Sequence, residues 1–186
     1  MDSKPNHQIK YSSTQLDSIL ERGLYFHRQG DLEKAEKNYR EILDVTPMNA
    51  DALHFLGVLS NQKQENKAAI DLITRAIQIF PNRPIYHNNL GNAYRDSGRC
   101  DQAIAYHQLA DIDRAVSAYQ KAIKLKPDSA EAYYNLGNTF KEQRLFDEAI
   151  SCYRRVAVIN PMFIEAYYNL AGSLEQQSRL DEAIKA

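Results

Sequence analysis

Asn89, Asn135 and Asn169 each stand two residues before a glycine or alanine, in the related contexts NNLG, YNLG and YNLA. A carboxamide has two N–H donors and an oxygen with two lone pairs, so a row of them can hold the backbone of an extended peptide whatever its side chains. Asn88, Asn92, Asn138, Tyr134 and Tyr168 fall within a helical turn of that row and complete the candidate peptide-binding set. The same row would also serve as solvated or turn-stabilising side chains with no ligand.

Other chemistry is harder to build from these residues. Zinc needs three or four converging ligands, and no two of His27, His54, His87 and His107 are spaced three or four apart. Cys100 and Cys152 lie 52 residues apart, outside any metal or redox spacing. The carboxylate pairs Asp147–Glu148 and Asp181–Glu182 sit where helices begin, and there they favour the N-terminal dipole rather than acid–base work. Tyr39, Tyr119 and Tyr153 take one repeated position that core packing explains better than base stacking. No serine or cysteine has a partnered base in a known motif, and neither a phosphate loop nor a nucleotide fingerprint is present. The expectation is a chain without catalytic residues, bound metal or cofactor.

Composition narrows the partners. With 44% hydrophobic and 25% charged residues, the 186-residue chain should fold. Its net charge of −1, with both signs interspersed, lacks the basic stripe that a phosphate backbone demands, so nucleic acid is not the expected partner. No apolar run approaches the roughly 20 residues of a membrane span. MDSKPNHQIK has no signal-peptide core, and a soluble protein of a reducing, cytoplasmic compartment is expected.

The elements that would position these residues repeat. Gly23, Gly57, Gly91, Gly137 and Ala171 follow one another at steps of 34, 34, 46 and 34. Pro47, Pro81, Pro127 and Pro161 run at 34, 46 and 34, and an alanine series from Ala35 to Ala183 keeps the same register with one step of 12. Each unit holds two apolar-periodic segments of about 13 residues joined by a short polar turn, such as RQGD or DSGRCD, which predicts antiparallel helical hairpins. The proline ends the second helix because it cannot continue one. Small residues on both helices allow close approach, and Leu56, Leu90, Leu136 and Leu170 fill the space between. The fold class is all-α. Its parts are a flexible tail over 1–10 and an array over 11–186, with units at about 16–49, 50–83, 84–129, 130–163 and a truncated 164–186. The last unit stops three residues after Ala183, as a fragment or truncated product would.

The Leu-Gly pair, the aromatic three residues on, the later small residue and aromatic, and the closing proline resemble the tetratricopeptide repeat family; YYNLGNTFKEQRLFDEAISCYRRVAVINP (133–161) is a close match. That resemblance implies a right-handed superhelical solenoid whose first helices line a concave groove, binding an extended peptide or partner protein. The asparagine row is similar to the repeat arm of protein O-linked N-acetylglucosamine transferases and to related bacterial repeat proteins. This implies an alternative role as the substrate-recruiting arm of a larger glycosyltransferase. Units 1 and 2 have Glu21 and Phe55 at the asparagine place, confining any ladder to units 3–5. The family's carboxylate clamp is disfavoured, because Leu20, His54, Asn88, Tyr134 and Tyr168 occupy its lysine place.

One stretch breaks the period. DQAIAYHQ begins at Asp101 and DRAVSAYQ at Asp113, two equivalent second-helix starts twelve residues apart. A twelve-residue insertion and a loss of 22 residues from a further unit leave the same sequence. No glycine or proline interrupts Arg99–Lys126, and an apolar stripe runs through it, predicting one helix from about Asp101 to Leu125, ~37 Å long against ~21 Å for an ordinary second helix. Residues 99–126 are therefore the irregular part of the array, expected to join units 1–3 to units 4–5 with altered twist.

Overall fold

A computed structural model of the chain describes residues 11–100 and 105–185. Among them the fold is all-α, with α1 Ser13–Arg28, α2 Leu32–Val45, α3 Ala50–Gln62, α4 Asn66–Ile79, α5 Pro84–Cys100, α6 Ala105–Leu125, α7 Ala130–Glu142, α8 Phe146–Ile159 and α9 Ile164–Lys185. No helix among the described residues is long and apolar enough to cross a membrane. The expected tail over 1–10 lies outside the described residues. The chain divides into two compact units, Met1–Pro81 and Asn82–Ala186.

In the first unit α1 packs on α2, α2 on α3 and α3 on α4. Local chemistry sets the ends. Ser12 and Gln15 form a capping box on α1, and the side chains of Asp31 and Asn49 accept from Lys34 N and Ala52 N at the starts of α2 and α3. Tight turns follow α1, α3 and α7, with left-handed backbone at Gly30 (φ 77°), Gln64 (φ 63°) and Arg144 (φ 63°), equivalent places in three units. Only the glycine takes that conformation without steric penalty.

The hairpins close on small residues. A Cβ built on Gly23 would lie 2.6 Å from Tyr39, one on Gly57 2.6 Å from Ile73, one on Gly91 2.5 Å from Tyr119 and one on Gly137 2.8 Å from Tyr153. Tyr39, Ile73, Tyr119 and Tyr153 have no exposed surface. Each second helix therefore sets one large side chain directly on the first helix's backbone.

In the second unit α5 pairs with α6, α7 with α8, and α9 lies on α7 and α8. Three features differ from the sequence reading. The turn expected within Asp96–Asp101 is helical as far as Cys100, with Gly98 inside α5 although it holds the place of Gly30 and Gln64. Ser97 Oγ donates to Asp111 Oδ2 (3.1 Å) and Arg114 lies over the Tyr94 ring, so the added length of α5 packs along α6. The irregularity is shared between both helices: α5 has 17 residues against 13 in α7, and α6 has 21 against 14 in α8. Helix α6 is continuous through Gln108–Asp113. The expected helical segment at 101–104, with Ala103, lies outside the described residues, while Ala115 and Tyr119 make the hairpin contact with α5.

Second, α9 runs unbroken from Ile164 to Lys185, where a turn and second helix were expected. Ser178 stands at the left-handed place of this unit, but its hydroxyl donates to the Leu174 carbonyl one turn back, which fits the helical path. Third, the compact units divide at Pro81–Asn82, not after the third hairpin. The reason is a shared core: Ala115, Tyr119, Leu136 and Cys152 form one buried cluster with Tyr94 and Phe140 packed against it.

Candidate functional site

The candidate residues all lie on α5, α7 and α9, the first helices of the second unit. A helical step of four puts Asn88 and Asn92 on one face of α5, and Tyr134 and Asn138 on the matching face of α7. Asn88 is 3% exposed; its amide donates to Glu131 Oε1 (3.0 Å), and its oxygen accepts from the Asn135 amide (3.2 Å). Asn169 donates to the Tyr134 hydroxyl and to Asn138 Oδ1, both at 3.1 Å, and its oxygen accepts from Lys141 Nζ (3.0 Å). Asn135 and Asn169 thus join neighbouring first helices. Asn135 meets Asn88 rather than Asn89, and Asn89 is half-buried with a partner of its own. The row read from the sequence is placed mainly between helices.

Asn92 and Asn138 are arranged differently. Tyr119 Oη donates to Asn92 Oδ1 (2.7 Å), and Tyr153 Oη donates to Asn138 Oδ1 (2.8 Å). Both tyrosines are fully buried, and burial raises both phenols above the ordinary value, keeping them protonated donors. With each hydroxyl donating, the carboxamide oxygen is the end that meets the tyrosine. The two Nδ2 groups are left directed away from the tyrosines, with no partner among the described residues. A cleft of about 390 Å³ opens beside Asn138, lined with it by Lys141, Glu142 and Asn169. Tyr134 is half-buried with its ring tilted against Phe163 (centroids 4.8 Å apart), whereas Tyr168 is 80% exposed.

The sequence reading had Tyr119 and Tyr153 in the core, where they are, but missed that their hydroxyls orient Asn92 and Asn138. A signal existed in the second hairpin. There the residue after the glycine is Val58 and the ring position is Ile73, so amide and hydroxyl are missing together. In the first hairpin the corresponding residue is Leu24, and the Tyr39 hydroxyl lies 3.2 Å from His27 Nδ1 instead, while His27 Nε2 meets Gln62 Oε1 (2.9 Å). His54 and His87 are buried, and no group of three metal-ligating side chains converges among the described residues.

Models of the tetratricopeptide repeat match residues 20–84, 87–110 and 130–163, and a TPR repeat model matches 103–143. Two of these matches overlap over 103–110, at the double helix start. TPR repeat-containing protein MJ1428 of Methanocaldococcus jannaschii is 24% identical over 79% of this chain and 26% of its own length. A probable UDP-N-acetylglucosamine–peptide N-acetylglucosaminyltransferase, SEC of Arabidopsis thaliana, is 28% identical over 50% of this chain and 10% of its own. The crystal structure of MamA protein superposes with a TM-score of 0.69 at 25% identity, covering 94% of this chain and 88% of that one. The chain spans about a quarter or less of either curated relative.

Proposed function

This chain belongs to the tetratricopeptide repeat family, and from that premise we propose that it is an interaction scaffold whose α5–α7 face holds an extended segment of a partner protein. The observation that carries the reading is the orientation of Asn92 and Asn138 by two buried tyrosine hydroxyls. Packed helices lie roughly 8–10 Å apart, and three residues of extended chain span about 10 Å. Equivalent amides on adjacent first helices therefore match carbonyls three residues apart in a bound strand. Backbone recognition of this kind is tolerant of sequence. Selectivity falls to the surrounding side chains, with exposed Ile85 and Tyr168 offering apolar contact and Glu131, Lys141 and Glu165 offering charge.

Replacing both residues by aspartate keeps the oxygen that accepts from tyrosine and removes the outward donors. We expect a pool of unstructured peptides captured by the wild-type chain to bind Asn92→Asp/Asn138→Asp about 10- to 100-fold more weakly, from two lost hydrogen bonds of roughly 1 kcal/mol each. Unchanged capture by the folded variant would remove these amides from the mechanism.

The likeness to the Arabidopsis transferase favours a second reading, in which the same face recruits substrates for a glycosyltransferase domain in a longer protein. Under that reading, peptides captured by the chain should be enriched among the acceptors of such a transferase carrying these repeats. Equal glycosylation of captured and uncaptured peptides would discard it.

A further inference from the structure

The exposed face of α8 carries two arginines, Arg154 and Arg155, neither of which forms an ion pair among the described residues. The sequence explains it. One turn before them stand Ile150 and Ser151 and one turn after them Val158 and Ile159, whereas Arg40 of α2 meets Glu36 (2.7 Å) and Arg75 of α4 meets Asp71 (3.8 Å), each four residues earlier. Both arginines open onto a cleft of about 380 Å³ completed by Tyr133, Ser151, Cys152 and Val158, with no carboxylate in its lining. Glu148, whose charge reaches Cys152, lies one turn before it and outside that lining. At 100° per residue Ser151, Arg154, Arg155 and Val158 fall within an arc of about 100° on α8. The Arg155 guanidinium rests over the Tyr133 ring of α7, 6.0 Å from its centroid, which steadies its fork. Lys37, Arg40 and Asp44 hold the places of Ser151, Arg154 and Val158 on α2 and are exposed too, although α3 and α4 follow them. Their cleft, by contrast, is lined also by Glu33, Glu36 and Glu41.

We propose that this cleft of α7 and α8 binds a phosphate monoester, with Arg154 and Arg155 holding the phosphoryl group and Tyr133 and Val158 contacting the apolar group that carries it. A phosphoryl group has a charge of about −1.5 to −2 at pH 7 and three acceptor oxygens, which match two guanidinium forks and the Ser151 hydroxyl. A carboxylate brings a single charge and two oxygens, and one arginine satisfies it. The half-buried Tyr133 ring and Val158, 70% exposed, offer contact that inorganic phosphate cannot use. The cleft shares no residue with the α5–α7 face, so neither proposal depends on the other.

Nuclear magnetic resonance of the whole ¹⁵N-labelled chain tests it, by titration with phenyl phosphate, inorganic phosphate and benzoate at constant ionic strength. The Nε–H signals of Arg154 and Arg155 should shift together and saturate, at about 10-fold lower phenyl phosphate than benzoate, with inorganic phosphate between them. Followed at the Ser151 amide, Arg154→Gln/Arg155→Gln should weaken phenyl phosphate about 10-fold or more with unchanged circular dichroism, because both side chains are exposed. Should that variant not fold, Arg155→Lys decides, keeping the charge and losing the fork, for an expected loss of about threefold. A short phosphotyrosine peptide separates the sources: tighter binding than phenyl phosphate assigns the cleft to a phosphorylated protein segment, and equal binding to a small monoester. Unsaturable shifts spread over all exposed arginines, benzoate binding as well as phenyl phosphate, or undiminished binding by the folded variants would each overturn the proposal.

Discussion

Substituting alanine at Gly91 and at Gly172 should move stability in opposite directions. A Cβ on Gly91 would lie 2.5, 2.7 and 2.8 Å from Cε1, Cδ1 and Cζ of Tyr119. Carbon atoms rest at about 3.5–4.0 Å, so the ring would have to withdraw by roughly 1 Å. It has little freedom to do so, being fully buried with its hydroxyl held 2.7 Å from Asn92 Oδ1. Overpacking of this kind costs about 1–3 kcal/mol, and a broken hydrogen bond adds about 0.5–1.5. Alanine's helix preference returns roughly 1 kcal/mol, leaving a net loss of about 1–3. Gly172 also lies within a helix, but a Cβ there meets nothing within 4 Å, so Gly172→Ala should gain up to about 1 kcal/mol. Urea unfolding at constant m-value separates the two by midpoint. Shifts of the same sign, or a stabilised Gly91→Ala, would refute the contact between ring and backbone. Loss of peptide capture by folded Gly91→Ala would link that contact to the orientation of Asn92.

Three further outcomes are expected. Gly98→Ala should stabilise the chain by roughly 0.5–1 kcal/mol in thermal melts if Gly98 is helical as placed, whereas a left-handed turn there would make it destabilising by roughly 1–2. Burial pushes the Cys152 thiol up to about 11, with Glu148 adding to the shift, so in a Cys100→Ser background it should resist thiol reagents near neutral pH until urea unfolds the chain; free-thiol rates in native buffer would contradict its burial. Burial also raises Tyr39 to about 12, and Tyr119 and Tyr153 above the ordinary 10.0. Above that ordinary value the unfolded state binds fewer protons than the folded one, so stability should fall as pH rises beyond about 10; a urea midpoint that stays constant into that range would count against it.

The hairpins are legible in sequence because Gly23, Gly57, Gly91 and Gly137 must each lie under one large side chain, so a 34-residue period records a packing requirement. The extent of α5 and α9 is not, because Gly98 and Ser178 hold turn positions that local propensity leaves free to be helical. Contacts decide there: Ser97 reaches Asp111, and Ser178 bonds back to Leu174. The candidate site divides in the same way. That asparagines cluster on the first helices is plain from position, but which of them join helices and which face outward depends on partners far away in the chain. Asn135 finds Asn88, 47 residues earlier, and Asn92 finds Tyr119, 27 residues later across the irregular stretch.

The most direct test of the account follows the side-chain amides themselves. In a ¹⁵N-labelled chain titrated with a peptide from the captured pool, the NH₂ signals of Asn92 and Asn138 should shift and gain protection from solvent exchange. Those of Asn88 and Asn135, already engaged between α5 and α7, should stay in place. Shifts at Asn88 and Asn135 with Asn92 and Asn138 unmoved would contradict the assignment of the outward amides as the groups that hold the partner.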